Sequence, residues 1–278
     1  MFNLESALQK NADKRPGMPL VMGVLNVTPD SFSDGGQFEN INTIEKRVVQ
    51  MLSEGVDIID VGGESTRPGA DEVSVDIELQ RVIPVIELIK QKFDIPVSID
   101  TYKPEVMRQA VQAGADIVND VNALQEPGAI ELVAETKVYA CLMHKQGSPK
   151  NMQKAPSYQN VVKDVAEFLL GRVKACLEAG IEQNKLILDP GFGFGKTLEH
   201  NTALFADLSE LVETNYPVLV GVSRKRMIAE ILDEAPVEQR VFGSVAAATL
   251  AGLKGAKIVR VHDVGSTVES LRVTSYLL

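Results

Sequence analysis

A chain of 278 residues, 45% of them apolar, can bury a sizeable core, and nothing in it resembles a long linker, a low-complexity tract or a block of charge. Its formal net charge of −10 argues against a nucleic-acid surface, which needs concentrated Lys and Arg, so an anionic ligand has to be met by local cations. No apolar stretch approaches the ~18 residues of a membrane span, and residues 1–19 carry neither a basic n-region nor an apolar h-region; the expectation is a soluble, cytoplasmic protein with no membrane partner.

Eight short apolar runs follow one another, each stopping on or leading into a polar residue able to do chemistry. Residues 21–25 end at Asn26, 56–61 lead to Glu64, Ser65, Thr66 and Arg67, 97–99 end at Asp100, and 116–118 end at Asn119. Then 138–143 end at His144, 186–188 at Asp189, 218–222 at Ser223, and 258–261 at His262. Runs this short, rich in Val, Ile and Leu and separated by helical patterns, describe parallel strands covered on their outer face. Gly55, Gly114, Gly180 and Gly255 each follow a helical pattern, as a left-handed residue just past a helix C-terminus does. Eight βα units in a length near the ~250 residues typical of the architecture predict a (β/α)8 TIM barrel. It is read as one domain over residues 1–278, with 1–19 an N-terminal extension before the first barrel strand. In such a barrel the strand C-termini share one mouth, which gathers residues scattered from Asn26 to His262 into a single site.

The first loop, residues 26–36, is rich in turn formers and holds the aromatic Phe32; it reads as a mobile flap or as an ordinary turn. The second, residues 62–69, sets Thr66 and Arg67 on a glycine-flanked turn, where a guanidinium fork can meet phosphate oxygens or can simply be solvated. Asp100, Asn119 and Asp189 end three of the runs and point into one cup. They suit a flat heterocycle with an amino-pyrimidinone edge, or else form a structural cluster paired with Lys. The string Asp189-Pro-Gly-Phe-Gly-Phe-Gly-Lys-Thr197 invites a nucleotide-loop reading but has Pro190 where that pattern needs glycine. Its glycines, with Phe192 and Phe194, are read as bringing backbone and rings close to a flat ligand. After the seventh run come Arg224, Lys225 and Arg226, of which Lys225 is assigned to the site. In the eighth, Arg260 and His262 share a strand face at the usual phosphate position of the architecture.

His144, His200 and His262 have no metal-ligand spacing, and Cys141 and Cys176 fall in no metal pattern. Zinc is therefore not expected, the cysteines are read as reduced and buried, and a metal acting here would be Mg²⁺. Residues 241–253 form a helix apolar or small nearly all round, which predicts burial on more than one side, against a partner subunit or a thick loop layer.

Taken in order, residues 26–36, residues 62–69, Ser98-Ile-Asp-Thr101, Val118-Asn-Asp120, residues 189–196, Gly221-Val-Ser-Arg-Lys225 and Arg260-Val-His262 closely resemble the motifs of the bacterial dihydropteroate synthase family, over nearly the full chain. The resemblance implies a homodimeric barrel enzyme of folate biosynthesis. It joins 7,8-dihydropterin-6-ylmethyl diphosphate to p-aminobenzoate, releasing pyrophosphate and 7,8-dihydropteroate, and sulfonamides occupy the p-aminobenzoate place. By the same resemblance Asp100, Asn119, Val121, Met143, Asp189, Lys225 and Arg260 hold the pterin, while Phe32, Thr66, Pro68, Phe194 and Ser223 form the p-aminobenzoate pocket. Asn26, Arg67, Arg260 and His262 meet the diphosphate, and Asn26 also binds Mg²⁺. Asn26, Arg67, Lys225, Arg260 and His262 are then the catalytic set. A non-condensing pterin-binding relative, or a methyltransferase acting on methyltetrahydrofolate, needs the pterin cup without the diphosphate and arylamine groups, so intact Asn26, Arg67, Pro68, Ser223 and His262 favour the synthase. A generic phosphosugar barrel enzyme leaves Asp100, Asn119 and Asp189 without a shared flat ligand.

Overall fold

All eight runs become parallel strands: β1 (Leu20–Asn26), β2 (Ile58–Gly62), β3 (Val97–Asp100), β4 (Ile117–Asp120), β5 (Tyr139–Met143), β6 (Leu186–Asp189), β7 (Leu219–Val220) and β8 (Ile258–Val261). The structure, a computed structural model, describes residues 2–27, 37–65, 72–147 and 156–278. The strands hydrogen-bond in the order β6-β5-β4-β3-β2-β1-β8-β7, and a parallel bridge between Leu188 and Val218 joins the two ends. The sheet thereby rolls into a nearly closed (β/α)8 barrel, as expected. Only β7 is much shorter than its run. The chain leaves the ladder at Gly221, where a Cβ would stand 3.7 Å from Arg260 Cβ and 3.8 Å from Lys225 Nζ.

Helix α1 (Leu4–Ala12) precedes the barrel. The strands are then followed in turn by α2 (Gln37–Ser53), α3 (Val75–Lys92), α4 (Pro104–Gln112), α5 (Ala129–Thr136), α6 (Val161–Glu178), the pair α7 (Leu198–Ala206) and α8 (Leu208–Val212), the pair α9 (Arg226–Ile231) and α10 (Val241–Leu253), and α11 (Val264–Leu277). Gly55, Gly114, Gly180 and Gly255 all have positive φ, between +88° and +111°, where the helix stops were expected. No helix among the described residues is long and apolar enough to cross a membrane.

Strand alternation divides the apolar residues into two cores. Outward-facing Val21, Ile59, Val61, Ile99, Val118, Leu188 and Val259 pack against the helices. Inward-facing Leu20, Met22, Ile58, Ile117, Tyr139, Ile187, Leu219 and Ile258 fill the barrel floor. The N-terminal extension closes that floor. Leu4 joins the inner core with Phe2 and Leu8 against it, and its backbone N–H donates to Tyr139 Oη at 3.0 Å.

Within the single chain helix α10 is buried on one face only. Ser244, Ala248, Ala251 and Gly252 are buried, whereas Phe242, Leu250 and Leu253 are exposed, Phe242 at 88%. One face packs on the barrel, and no loop layer covers the opposite face among the described residues.

The floor contact sets a first prediction. Leu4→Ala should destabilise the protein by roughly 2–4 kcal/mol, the usual effect of emptying a buried Leu site, as measured by urea unfolding. A loss below about 0.5 kcal/mol would show that α1 adds nothing to the inner core.

Candidate active site

Above the apolar floor the same inward-facing rows turn polar. β2 continues from Ile58 to Asp60, β3 from Ser98 to Asp100, β4 from Ile117 to Asn119, β6 from Ile187 to Asp189, and β8 from Ile258 to Arg260. Period-two alternation therefore delivers these side chains into one cup. At its centre the Arg260 guanidinium donates through Nε to Asp60 Oδ2 and through Nη2 to Asp100 Oδ2, both at 2.6 Å. Asn119 Nδ2 reaches Asp60 Oδ2 at 3.4 Å. Two carboxylates share one cation, so their charges are not balanced by it. Burial pushes Asp100 up to about 7 against the pull of Arg260, with Asp60 adding to the rise. Asp100 Oδ1 and Ser98 Oγ are buried without a hydrogen-bond partner. An unsatisfied buried acceptor of this kind suits an N–H brought by a ligand.

Asp189 accepts the backbone N–H of Gly191 at 2.7 Å, and burial raises its pKa while Lys225 opposes the shift. Gly191 has φ +67°, and a Cβ there would fall 1.8 Å from the His144 carbonyl oxygen, so this turn admits only glycine. The Met143 side chain borders the same point, its Cγ 3.3 Å from the place of that Cβ. Lys225 turns inward. Its ammonium donates to the Phe192 carbonyl at 2.7 Å and lies 4.6 Å from the centre of the Phe194 ring. Burial brings Lys225 down to about 8, with Asp189 pulling the other way. Its neighbours turn elsewhere. Arg224 forms a two-point pair with Asp263, at 2.9 and 2.5 Å, and Arg226 pairs with Glu230 on the surface.

At the rim, Ser223 Oγ accepts the backbone N–H of His262 at 3.2 Å and lies 3.1 Å from His262 Nδ1. Asn26 ends β1 half-buried. A Cβ on Gly62 would stand 3.6 Å from Asn26 Oδ1 and 3.7 Å from Asp100 Oδ2, so the amide and the carboxylate border the same strand end. No cluster of three or more His, Cys, Asp or Glu able to hold a metal occurs among the described residues. A lone amide oxygen at the mouth fits an ion that keeps its waters and takes further oxygens from a diphosphate, as Mg²⁺ does, better than an all-protein cage. Val121 follows directly on β4 and is half-buried. Phe32, Thr66, Arg67 and Pro68 lie outside the described residues.

Residues 22–262 match the family of pterin-binding enzymes. The chain is 54% identical over 260 residues to the dihydropteroate synthase of Escherichia coli K12, covering 94% of this chain and 92% of the relative. This chain belongs to the dihydropteroate synthase family. Solved structures of family members superpose closely on it. The Yersinia pestis synthase with a sulfonamide drug shares 52% identity at a TM-score of 0.88, covering 94% of both chains. The Xanthomonas albilineans synthase in complex with 7,8-dihydropteroate shares 47% identity at a TM-score of 0.85, again over 94% of both.

Three features of the mouth carry little signal in the order of residues alone. Asp60, fully buried beneath Arg260, lies inside an apolar run rather than at its end, although its place two residues after Ile58 and two before Gly62 marks it as inward-facing. Lys103 is buried, donating to Glu78 at 2.7 Å and to the Val73 carbonyl at 2.6 Å, and it also pairs with Glu64, which ties the segment after β2 to α3 and α4. The third is the pair of Lys196 and His144, in contact beneath the glycine-rich turn.

The raised pKa of Asp100 yields a prediction with a definite sign. Between its unfolded value near 3.8 and its folded value near 7 the native state holds a proton that the unfolded chain has released. Its contribution to stability is therefore full below the unfolded value and is lost as pH rises through the folded one. The stability of the wild type relative to Asp100→Asn should fall from about pH 5 to about pH 7, by at most about 1.4 kcal/mol per pH unit. Urea unfolding of both proteins measures this; a flat difference would mean that Asp100 is ionised throughout.

Proposed function

We infer that this chain carries out its family's condensation, joining 7,8-dihydropterin-6-ylmethyl diphosphate to p-aminobenzoate to give 7,8-dihydropteroate and pyrophosphate. The observation that carries this reading is the convergence of Asp100, Asn119, Asp189, Lys225 and Arg260 on one cup, in a chain more than half identical to a known synthase. Asp189 and the unpartnered Asp100 Oδ1 suit the N–H groups of a pterin ring, Asn119 and Lys225 its remaining polar atoms, and Met143 and Val121 its faces.

In the reaction the C–O bond at the pterin methylene breaks and its electron pair leaves with the pyrophosphate. The arylamine nitrogen then forms the new bond through its lone pair and releases a proton. A neutral aniline already has that lone pair, so no strong base is required. Positive charge grows on the pterin and negative charge on the leaving group, and groups aimed at those charges lower the barrier. Asp60, Asp100 and Asp189 face the place of the pterin, and carboxylates there favour a cationic pterin and support a dissociative, SN1-like displacement. His262, with Arg67 and Arg260, is assigned to the leaving diphosphate. Ser223 Oγ accepts the His262 backbone N–H and lies 3.1 Å from Nδ1, which holds the imidazole at the rim. Mg²⁺ held by Asn26 and diphosphate oxygens would supply further charge neutralisation there. Phe194 and Ser223 are assigned to the arylamine, with Phe32, Thr66 and Pro68 assigned there by the family resemblance alone; sulfonamides are expected to compete at that place.

The test is an assay of the protein with the pterin diphosphate and Mg²⁺, with and without p-aminobenzoate. Pyrophosphate release should depend on the arylamine and show a large normal secondary isotope effect at a deuterated methylene. Release indifferent to the arylamine would overturn the condensation, and an isotope effect near unity would overturn the dissociative pathway.

We also propose that the enzyme is a homodimer built on the outer face of α10. That face borders an apolar groove of about 360 Å³ lined by Phe205, Met227, Ile231, Leu232, Ala247 and Leu250. Sedimentation should report two chains per particle for the wild type and one for Leu250→Asp; a monomeric wild type would rule the proposal out.

A further inference from the structure

Two buried groups in the wall of the mouth take no part in the chemistry above. Lys196 is 2% exposed, and its ammonium meets three neutral acceptors: His144 Nδ1 at 3.0 Å, the Gly191 carbonyl at 2.9 Å and the Phe194 carbonyl at 3.3 Å. Three protons are thus matched to three acceptors. Burial brings Lys196 down to about 7, with Asp189 pulling the other way, and whenever it is an ammonium His144 Nδ1 is the acceptor and the imidazole is neutral. Burial agrees, pushing His144 down to about 3 with Lys196 adding to the fall. His144 is itself fixed. Its backbone N–H donates to the Asp189 carbonyl at 3.0 Å, and its ring meets Phe168 edge-on at 5.0 Å.

Lys196 closes the glycine-rich string that resembles a nucleotide loop, in which a lysine would face phosphate. Here it points into the protein and holds its own turn. Other side chains hold the rest of it. Asn201 Oδ1 accepts the Gly193 N–H at 2.8 Å, Tyr158 Oη donates to the Gly195 carbonyl at 2.8 Å, and Lys225 holds the Phe192 carbonyl. The Phe194 ring beside Lys225 is therefore carried on a turn whose carbonyls at 191 and 194 both hang on one buried ammonium.

We propose that Lys196 and His144 are positioning residues, a buried pair that sets residues 191–194 at the height which places Phe194 against the arylamine. The proposal rests on the reading of Phe194 as part of the arylamine pocket. Asp189 lies on β6, whose register is set by its pairing with β5, whereas Phe194 sits on the turn itself, so loss of the pair should act on the arylamine more than on the pterin.

Steady-state kinetics of Lys196→Met, His144→Phe and His144→Asn, with each substrate varied in turn, test this. Lys196→Met and His144→Phe should raise KM for p-aminobenzoate about tenfold, since small misplacements of a contact group cost rate and affinity steeply. KM for the pterin diphosphate should stay within about threefold. His144→Asn, which keeps an acceptor near the place of Nδ1, should recover most of the loss. Equal rises in both KM values, unchanged KM values with only a lowered Tm, or an Asn variant no better than Phe would overturn the pairing. If Lys196→Met does not fold, the comparison of Phe with Asn at position 144 decides the matter alone. A wild type whose pyrophosphate release ignores the arylamine would instead overturn the functional reading.

Discussion

The upper half of the barrel interior is organised by a single guanidinium shared between two carboxylates. Arg260 on β8 reaches Asp60 on β2 and Asp100 on β3, so one side chain spans four neighbouring strands, β8, β1, β2 and β3. Removing one partner of such a buried set typically costs about 3–5 kcal/mol, because a charge is left without its counterpart. The same sharing keeps the set short of neutrality. Asp100 holds its second oxygen unbonded, and Ser98 on the strand below it has no partner either. Stability and ligand recognition are drawn from one cluster, and the orphaned atoms mark where the two requirements diverge.

The floor makes that cluster effective. Ile58, Ile117, Ile187, Leu219 and Ile258 lie directly beneath it, and α1 seals them from below. Electrostatic interactions above an apolar, closed floor are stronger than at a wet surface, and an unpaired polar group there is correspondingly more costly. This is why Asp100 and Lys225 are both displaced from their ordinary titration ranges by burial, toward the range in which a small change of surroundings alters their charge.

Much of this was legible from the order of residues. A strand in a barrel ends where its inward row meets the mouth, so the last residues of apolar runs, Asn26, Asp100, Asn119 and Asp189, announced the cup, and Gly55, Gly114, Gly180 and Gly255 announced the βα repeats. What escaped is tertiary in origin. Asp60 lies one inward position below the mouth, and only the register of β2 against β3 distinguishes it from a stray polar residue. Lys196 and His144 are separated by 52 residues, and no local pattern says that a lysine after a glycine string turns inward. On α10, composition reports that a face is apolar, not what covers it, and within the single chain only one face is buried.

The distribution of charge also explains how a chain with a net charge of −10 can serve an anionic substrate. The carboxylates Asp60, Asp100 and Asp189 are buried in the depth of the cup, whereas His262 lies half-buried at the rim, after the last residue of β8. A ligand lying across that boundary has its ring among carboxylates and its diphosphate among donors. In the proposed reaction, the bond that must break is the one joining those two parts. A field directed along it favours separation of charge in the sense the reaction requires, and it is fixed by the folded protein before any substrate arrives. Neither zone could do this alone. Donors at the rim would bind diphosphate in substrate and transition state alike, and carboxylates in the depth would bind a pterin without weakening its bond to oxygen. The barrel brings the two zones to one mouth because β3, β6 and β8 all point the same way.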